Sequence, residues 1–169
     1  MLRSAGRPKI VRSDLPYWIA GALLLLFSVP WLFTNPINGD TGFFAASGEA
    51  ILDGAKLYRD IVEPNTPPPF LFGAGCAAFG RLVGLRAEPA LILTLSFLIG
   101  LALYRTNAIL RQLLPRRPEA IGLLMVVALY CLFPYASNKF GEREHILVGL
   151  MLAWLFGSIA AATQLRRSR

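Results

Sequence analysis

Residues 38–72, NGDTGFFAASGEAILDGAKLYRDIVEPNTPPPFLF, form the longest interval of the chain without a membrane-spanning pattern. This interval holds five of the ten carboxylates of the protein, which are Asp40, Glu49, Asp53, Asp60 and Glu63. The sequence on either side of it has the pattern of apolar helices. We therefore predict that residues 38–72 belong to a large loop on one face of a membrane, and that the chemistry of the protein lies there.

The composition is typical of a helical membrane protein. Hydrophobic residues make up 55% of the 169 positions, and several apolar runs approach the roughly 20 residues that a helix needs to cross a bilayer. The net charge of +7 fits the Lys and Arg residues that fix the orientation of membrane proteins, so no nucleic-acid partner is expected. Cys76 and Cys131 lie in apolar segments without metal-thiolate spacing.

The number of spans depends on segment 70–85, which is apolar but short and interrupted by Arg81. If this segment does not cross the membrane, eleven of the 17 Lys and Arg residues fall on the inner side and six on the outer side. The positive-inside rule selects this arrangement over one with five spans. The sequence thus predicts an all-α, polytopic membrane protein with about four transmembrane helices, at about 17–34, 88–109, 119–136 and 146–165.

In this topology both termini are cytoplasmic. Residues 1–16 form a basic cytoplasmic N-terminus, residues 17–165 form one membrane domain, and residues 166–169 form a cytoplasmic tail. The run at 17–34 is long for a signal-peptide core and no small-residue cleavage site follows it, which favours a retained span. The outer side then contains a first loop, residues 35–87, and a second loop, residues 137–145.

The first loop is expected to contain amphipathic juxtamembrane helices. Apolar residues recur at helical spacing after Asp40, with Glu49 and Asp53 on another face, and Gly54 ends the pattern after about four turns. The prolines at 67–69 favour an extended segment. Segment 70–85 then follows as an interfacial or re-entrant helix.

Two carboxylates of the first loop are candidate catalytic groups. Asp40 is either an N-cap that accepts hydrogen bonds from the first turn of the loop helix, or a general base or metal ligand at the membrane surface. Glu63, in VEPNTPPP, is either a solvated loop acid or a site group that the proline-rich segment holds in place.

The second loop, SNKFGEREH, concentrates ionisable groups at the mouth of the last span. Such residues close to a bilayer tend to face a cavity and bind a ligand, although a charge cluster at a helix end is the common alternative. Lys139 and Arg143 are candidates to bind a lipid phosphate. His145 becomes part of a metal site only together with Glu63 or Glu144.

The order of these features resembles the N-terminal part of GT-C-fold membrane glycosyltransferases, in particular the branch of aminoarabinose transferases and protein O-mannosyltransferase-like enzymes. The resemblance covers about residues 15–165. It is carried by Gly39-Asp40, Ala50-Ile51-Leu52-Asp53-Gly54, Leu57-Tyr58-Arg59-Asp60, and Glu63 ahead of Pro67-Pro68-Pro69.

The resemblance implies transfer of a sugar from a polyprenyl-phosphate donor to a lipid or glycan acceptor on the outer face of a bacterial inner (plasma) membrane. Asp40 matches the catalytic Asp of the first loop in the family. Glu63 matches the acid before the proline-rich stretch, which in some members is a metal ligand. Tyr58, in the turn that carries part of the resemblance, is expected to contact substrate.

The second loop departs from the family pattern, which often has an Asp there. Lys139, Arg143 and His145 are the expected substrate-binding residues of this loop. Glu144, with Glu63, would hold a divalent metal ion, the only cofactor expected. Membrane lipids are the remaining expected partners.

Two other functions are compatible with the sequence. Family enzymes have many more spans, so the chain is interpreted as such an enzyme or as the N-terminal portion of one, and the alternative is a non-catalytic four-span scaffold or partner subunit. A lipid or small-solute transporter is disfavoured because the central thirds of the spans carry no charged residues.

Overall fold

The protein is all-α, as expected. A computed structural model describes residues 15–34, 38–64, 66–135 and 139–167, without the side chains of several residues in the last helix. Residues 1–14 and 168–169, which belong to the predicted cytoplasmic N-terminus and tail, lie outside this description. The described residues form six helices and no strand: α1 Leu15–Thr34, α2 Gly39–Leu52, α3 Pro68–Val83, α4 Ala87–Leu113, α5 Pro118–Leu132 and α6 Arg143–Arg167.

Among the described residues, two helices are long and apolar enough to cross a membrane by length and composition, namely α1 and α4. Helix α5, which covers most of the predicted third span at about 119–136, ends at Leu132. Pro134 explains this end, because it has no N–H with which to continue the hydrogen bonds of the helix. With 15 residues, α5 is about 22 Å long, which is shorter than the roughly 30 Å of a bilayer core.

The helix expected after Asp40 is confirmed in its length and its end. α2 has 14 residues, and Gly54 follows it with a φ of 98°, a left-handed conformation that glycine adopts without strain. Phe44, Ala45 and Gly48 of this helix are buried, whereas Phe43 is 40% exposed. The cause of this burial is α3, which packs directly against the small residues of α2.

The prediction of an extended segment at Pro67–Pro69 is wrong. Pro68 and Pro69 are the first two residues of α3, and Pro67 precedes them in a helical conformation. The first N–H groups of a helix have no intrahelical acceptor, so prolines cost little there. The apolar segment 70–85 is helical as expected, and α3 ends before Gly84, which has a φ of 74°.

One end each of α1, α4 and α5 lies close to the others. The guanidinium of Arg111, near the end of α4, lies 6.0 Å from the ring centroid of Trp18, near the start of α1. Tyr17 packs against Gly122, in the first turns of α5. The start of α1, the end of α4 and the start of α5 therefore lie at one end of the molecule, which we call the Arg111 end.

The opposite end, which we call the Asp40 end, holds the other helix termini. Leu32 of α1, Ile92 of α4 and Leu132 of α5 belong to one buried apolar cluster. His145, in the first turn of α6, is hydrogen-bonded to the carbonyl of Leu132. Helices α1 and α5 thus run in one direction, and α4 and α6 run in the other. Helices α2 and α3 pack on the first turns of α4 at the Asp40 end.

Candidate active site at the junction of two loops

The cap of α2 is Asn38, not Asp40. The side-chain oxygen of Asn38 accepts a hydrogen bond from the backbone N–H of Asp40 at 3.0 Å. Asp40 is the second residue of the helix, and its side chain is exposed. The partial positive charge at a helix N-terminus favours a carboxylate in this turn. Asp40 is therefore an exposed carboxylate, and Asn38 caps the helix in its place.

Glu142 connects this turn to the second loop. Its Oε1 accepts a hydrogen bond of 2.8 Å from the side-chain amide of Asn38 and lies 3.0 Å from the ammonium of Lys139. The side chain of Glu142 is only 12% exposed, whereas that of Lys139 is 71% exposed. Glu142 thus holds Lys139 on one side and the cap residue of α2 on the other, and this leaves Lys139 accessible next to the start of α2.

A second contact joins the same two parts of the chain. The hydroxyl of Thr41, which is fully buried, donates to the backbone carbonyl of Phe140 at 2.9 Å. Gly141 lies against the Thr41 side chain with a φ of 90°, where a Cβ would contact the methyl group of that threonine. The backbone of the second loop therefore packs directly against α2. Contacts at Asn38 and Thr41, on either side of Asp40, fix the position of the loop on the helix.

His145 is a buried link between backbone groups. Its Nδ1 accepts from the N–H of Gly141 at 3.2 Å, which leaves the proton on Nε2 to be donated to the carbonyl of Leu132 at 2.8 Å. Burial lowers the pKa of the His145 imidazole, while the Leu132 carbonyl and the charge of Glu142 act in the opposite direction. The predicted substrate contact of His145 stays a prediction, and its ring nitrogens bind the backbone of this loop.

Tyr58 lies in a tight turn that the LYRD sequence makes. The N–H of Tyr58 donates to the carbonyl of Ile61 at 3.0 Å, and Tyr58 itself has a φ of 67°. Asp60 accepts two hydrogen bonds from Arg59, at 2.9 and 2.8 Å, and one from the N–H of Lys56. Arg59 first, and then the Lys56 N–H, hold the pKa of the Asp60 carboxyl below its ordinary value. Asp60 is therefore a structural acid of the turn.

Glu63 follows this turn and is partly buried. Ile61, two residues earlier, packs in an apolar cluster with Phe44 and Phe70, whose rings meet edge to face at 5.4 Å between centroids. Helix α2 thus contains Asp40 and also packs against the segment that leads to Glu63. Its first turn contacts the second loop, and Phe44, one turn later, contacts the residues before Glu63.

Two further carboxylates, Asp53 and Glu49, connect α2 to α3 and α4. Asp53, at the end of α2, forms an ion pair of 2.7 Å with Arg81 of α3. The carboxylate of Glu49 accepts from the N–H of Ala87, the first residue of α4, at 3.4 Å. Glu49, Asp53 and Asp60 thus have the partners named above, and the two predicted site residues of this interval are Asp40 and Glu63.

The predicted metal site falls partly outside the described side chains. The side chains of Arg143 and Glu144 belong to those that the structure does not describe, so their predicted roles stay predictions. Among the described residues, no three His, Cys, Asp or Glu side chains are grouped so as to hold a metal ion. Among the described side chains, the cation at this junction is the Lys139 ammonium.

Three residues of the junction were not predicted as site residues: Asn38, Thr41 and Glu142. Asn38 and Thr41 flank Asp40, and Glu142 lies between Lys139 and His145, so their sequence positions gave a signal. What sequence reasoning lacked was the pairing across about 100 residues that brings these groups together.

Comparison of the chain with models of protein families, with curated proteins and with solved structures gave no match.

Proposed function

We propose that this protein is a membrane glycosyltransferase, or the N-terminal portion of one, that transfers a sugar from a polyprenyl-phosphate donor to a lipid or glycan acceptor. The observation that carries the proposal is the junction of the two loops. The hydrogen bonds Asn38–Glu142 and Thr41–Phe140 place an exposed carboxylate, Asp40, on the helix turn that also adjoins an exposed ammonium, Lys139. Sugar transfer from a polyprenyl-phosphate donor needs a base for the acceptor hydroxyl and a positive charge, or a metal ion, for the departing phosphate.

The arrangement of helix ends supports a membrane domain of four spans, α1, α4, α5 and α6, with both termini cytoplasmic. Consecutive helices of this set run in opposite directions, as spans joined by loops on alternate sides do. The two predicted outer loops meet at one end of the molecule, and the Arg-rich loop between α4 and α5 lies at the other. In this arrangement α3, about 24 Å long, is an interfacial or re-entrant helix of the outer face.

In the proposed reaction, Asp40 acts as the general base. Its carboxylate takes the proton of the acceptor hydroxyl while the hydroxyl oxygen bonds to the anomeric carbon of the sugar. The bond between that carbon and the donor phosphate oxygen breaks, and the polyprenyl phosphate leaves with the electron pair. Lys139, held by Glu142, stabilises the charge on the departing phosphate. Glu63 and Tyr58 contact the sugar or the acceptor from the side of the LYRD turn.

Asp40→Asn tests this assignment. The test uses the full chain in membrane vesicles that contain endogenous lipids and glycans as acceptors, and a panel of polyprenyl-phosphate donors carrying radiolabelled hexoses or pentoses. Asparagine cannot accept the proton, so the variant is expected to lose transfer about 10²- to 10⁴-fold, the usual contribution of a general base. Radiolabel in the acceptor fraction is the measurement.

Asp53→Asn is the matched control, because it removes the same charge from the same helix at the end away from the junction. Its exposed ion pair with Arg81 contributes little to stability, so transfer should remain at the level of the unmodified protein. Full transfer by a correctly inserted Asp40→Asn variant would refute the base assignment. Absence of transfer from every donor by the unmodified chain would favour the non-catalytic scaffold or partner subunit.

A further inference from the structure

A crevice of about 390 Å³ lies between α1, α4 and α5, away from the loop junction. Its walls are almost entirely apolar, and Leu25, Leu103 and Leu129 come from the three helices in turn. The volume is within the range of ligand pockets, about 300 to 1,000 Å³. The crevice is therefore large enough for part of a hydrocarbon ligand.

The crevice extends along α4. The residues of α4 that line it run from Ser96 to Arg111, which corresponds to about 22 Å along the helix axis. Gly100 lines the crevice, and a Cβ added there would have no atom within 4 Å. The length exceeds the roughly 15 Å of one leaflet of a bilayer core, so a single acyl chain fits lengthwise.

The charged residue that lines the crevice, Arg111, lies at one end of it. The Nε of Arg111 donates to the side-chain oxygen of Asn107 at 3.2 Å, and the guanidinium lies over the ring of Trp18. Asn107 is buried, so its hydrogen bond fixes Arg111 at the rim from inside the protein. Tyr17 and Tyr104 complete an aromatic rim, a composition typical of the membrane–water interface.

The charge around this rim is positive. Arg105, Arg116 and Arg117 are exposed at the Arg111 end, and within the described part of the chain Glu119 is the one carboxylate there. The Asp40 end, in contrast, carries the acids of the first loop. A ligand whose chain fills the crevice therefore meets a cationic rim where its head group must lie, which is complementary to an anionic head group.

We propose that this crevice binds one acyl chain of an anionic phospholipid, with the lipid phosphate at Arg111. This site is distinct from the loop junction. Leu91, which adjoins the Gly141 backbone, and Arg111 are separated by 20 residues of α4, which is about 30 Å. The inference rests on the membrane placement proposed above, but on none of the catalytic roles. In the four-span arrangement the lipid belongs to the inner leaflet.

The test is native mass spectrometry of the full purified chain in detergent, titrated with phosphatidylglycerol or phosphatidylcholine of identical acyl chains. One phosphatidylglycerol is expected to bind per chain, about tenfold more tightly than phosphatidylcholine, because the arginines at the rim attract the anionic head group and repel the choline cation. Millimolar inorganic phosphate should not displace it, because the acyl chain supplies the remaining affinity. Equal binding of the two lipids, or displacement by phosphate, would overturn the proposal.

Two variants with matched controls locate the site. Arg111→Gln should abolish the preference for phosphatidylglycerol, whereas Arg86→Gln, at the opposite end of the same helix, should retain it. Gly100→Phe fills the crevice and should reduce binding of both lipids at least tenfold. Gly75→Phe adds the same side chain to an exposed, open position of α3 and should leave the binding of both lipids unchanged.

The glycine variants also distinguish lipid binding from self-association of the chain. If Gly100→Phe folds, as judged by its helical circular dichroism, and still binds phosphatidylglycerol at full affinity, the crevice is not the site. If the unmodified chain forms a dimer that Gly100→Phe dissociates, a second copy occupies the crevice and the lipid proposal fails. Failure of these tests leaves the assignment of Asp40 untouched, because that assignment is measured by sugar transfer alone.

Discussion

Asn38 has two functions that a single carboxamide can combine. Its oxygen caps α2 through the N–H of Asp40, and its NH₂ group donates to Glu142. Aspartate is an equally good cap residue, but it would place a second carboxylate beside Glu142 and could donate nothing to it. Asparagine is therefore the residue type that both caps the helix and tolerates the buried acid of the second loop.

His145 should make the stability of the protein depend on pH. Its lowered pKa means that the folded state binds the proton less readily than the unfolded state does. Its contribution is thus complete above the ordinary histidine value of about 6.5 and is lost as the pH falls through the lowered pKa. Protonation also places a hydrogen on Nδ1, which faces the N–H of Gly141. The unfolding temperature should fall between pH 7.5 and 5.5.

The chain contains a single histidine, so His145→Asn provides a clean control for this prediction. One titrating proton changes the free energy of unfolding by at most about 1.4 kcal/mol per pH unit, which sets the largest slope to expect. The variant should be less stable at pH 7.5 and much less sensitive to pH. Thermal melts monitored by circular dichroism give the unfolding temperature of both proteins. An equal fall in the unfolding temperature of the two would show that His145 is not the titrating group.

At the scale of elements, the hairpin of α2 and α3 depends on two glycines that face each other. A Cβ on Gly48 would overlap the backbone of Gly73, and a Cβ on Gly73 would overlap the backbone carbonyl of Phe44. The obstacles are main-chain atoms, which cannot move aside as a flexible side chain does. The close approach brings Phe44 and Phe70 into contact and so supports the segment that leads to Glu63.

Gly48→Ala is expected to destabilise the protein by about 1–3 kcal/mol, the usual cost of overpacking a tight contact. Gly75→Ala is the matched control on α3, where the added methyl group meets open space and improves helix propensity. Denaturant unfolding of the purified proteins in the same detergent gives both values. A Gly48→Ala variant as stable as the control would contradict the close approach of the two helices.

The elements were predictable where a local signal determined them. The apolar spacing after Asp40 and the stop at Gly54 specify α2 without help from the rest of the chain. The start of α3 was missed because three prolines were interpreted as extended, although Pro68 and Pro69 occupy the first turn, where a helix tolerates them. Apolarity continues past Leu132 toward the predicted end of the third span, whereas Pro134 limits helix α5 because it lacks an N–H donor.

The candidate site was predictable in its parts but not in its contacts. The acids of the first loop and the charges of the second loop were recognised, and Asp40 and Lys139 do lie near one junction. The roles of Asn38 and Glu142 depend on how two loops dock, and no periodicity within either loop encodes that. The backbone partners of His145 are likewise set by the end of α5, 13 residues earlier.

At the scale of the whole molecule, the two ends differ in charge and in construction. The Asp40 end carries two helices, two joined loops and most of the acids. The Arg111 end carries a short loop, exposed arginines and the mouth of the crevice. If the protein crosses the membrane four times, this difference in charge orients it, because Lys and Arg favour the cytoplasmic side.

This orientation predicts which positions react with a membrane-impermeant maleimide. In a background lacking Cys76 and Cys131, Lys56→Cys and Tyr135→Cys should be labelled in intact cells with a permeabilised outer envelope. Arg116→Cys should react only after the inner membrane is disrupted. These three side chains are accessible in the structure, so labelling depends on sidedness alone. Labelling of Arg116→Cys in intact cells would rule out the four-span topology.

The bonds between Asn38 and Glu142, and between Thr41 and Phe140, also have a consequence for biosynthesis. The paired residues are 104 and 99 positions apart, and ribosomes add about 5–20 residues per second. Helix α2 therefore leaves the ribosome about 5–20 s before its partner loop exists. During that interval the hydroxyl of Thr41, buried in the finished protein, has not yet met its acceptor, the carbonyl of Phe140.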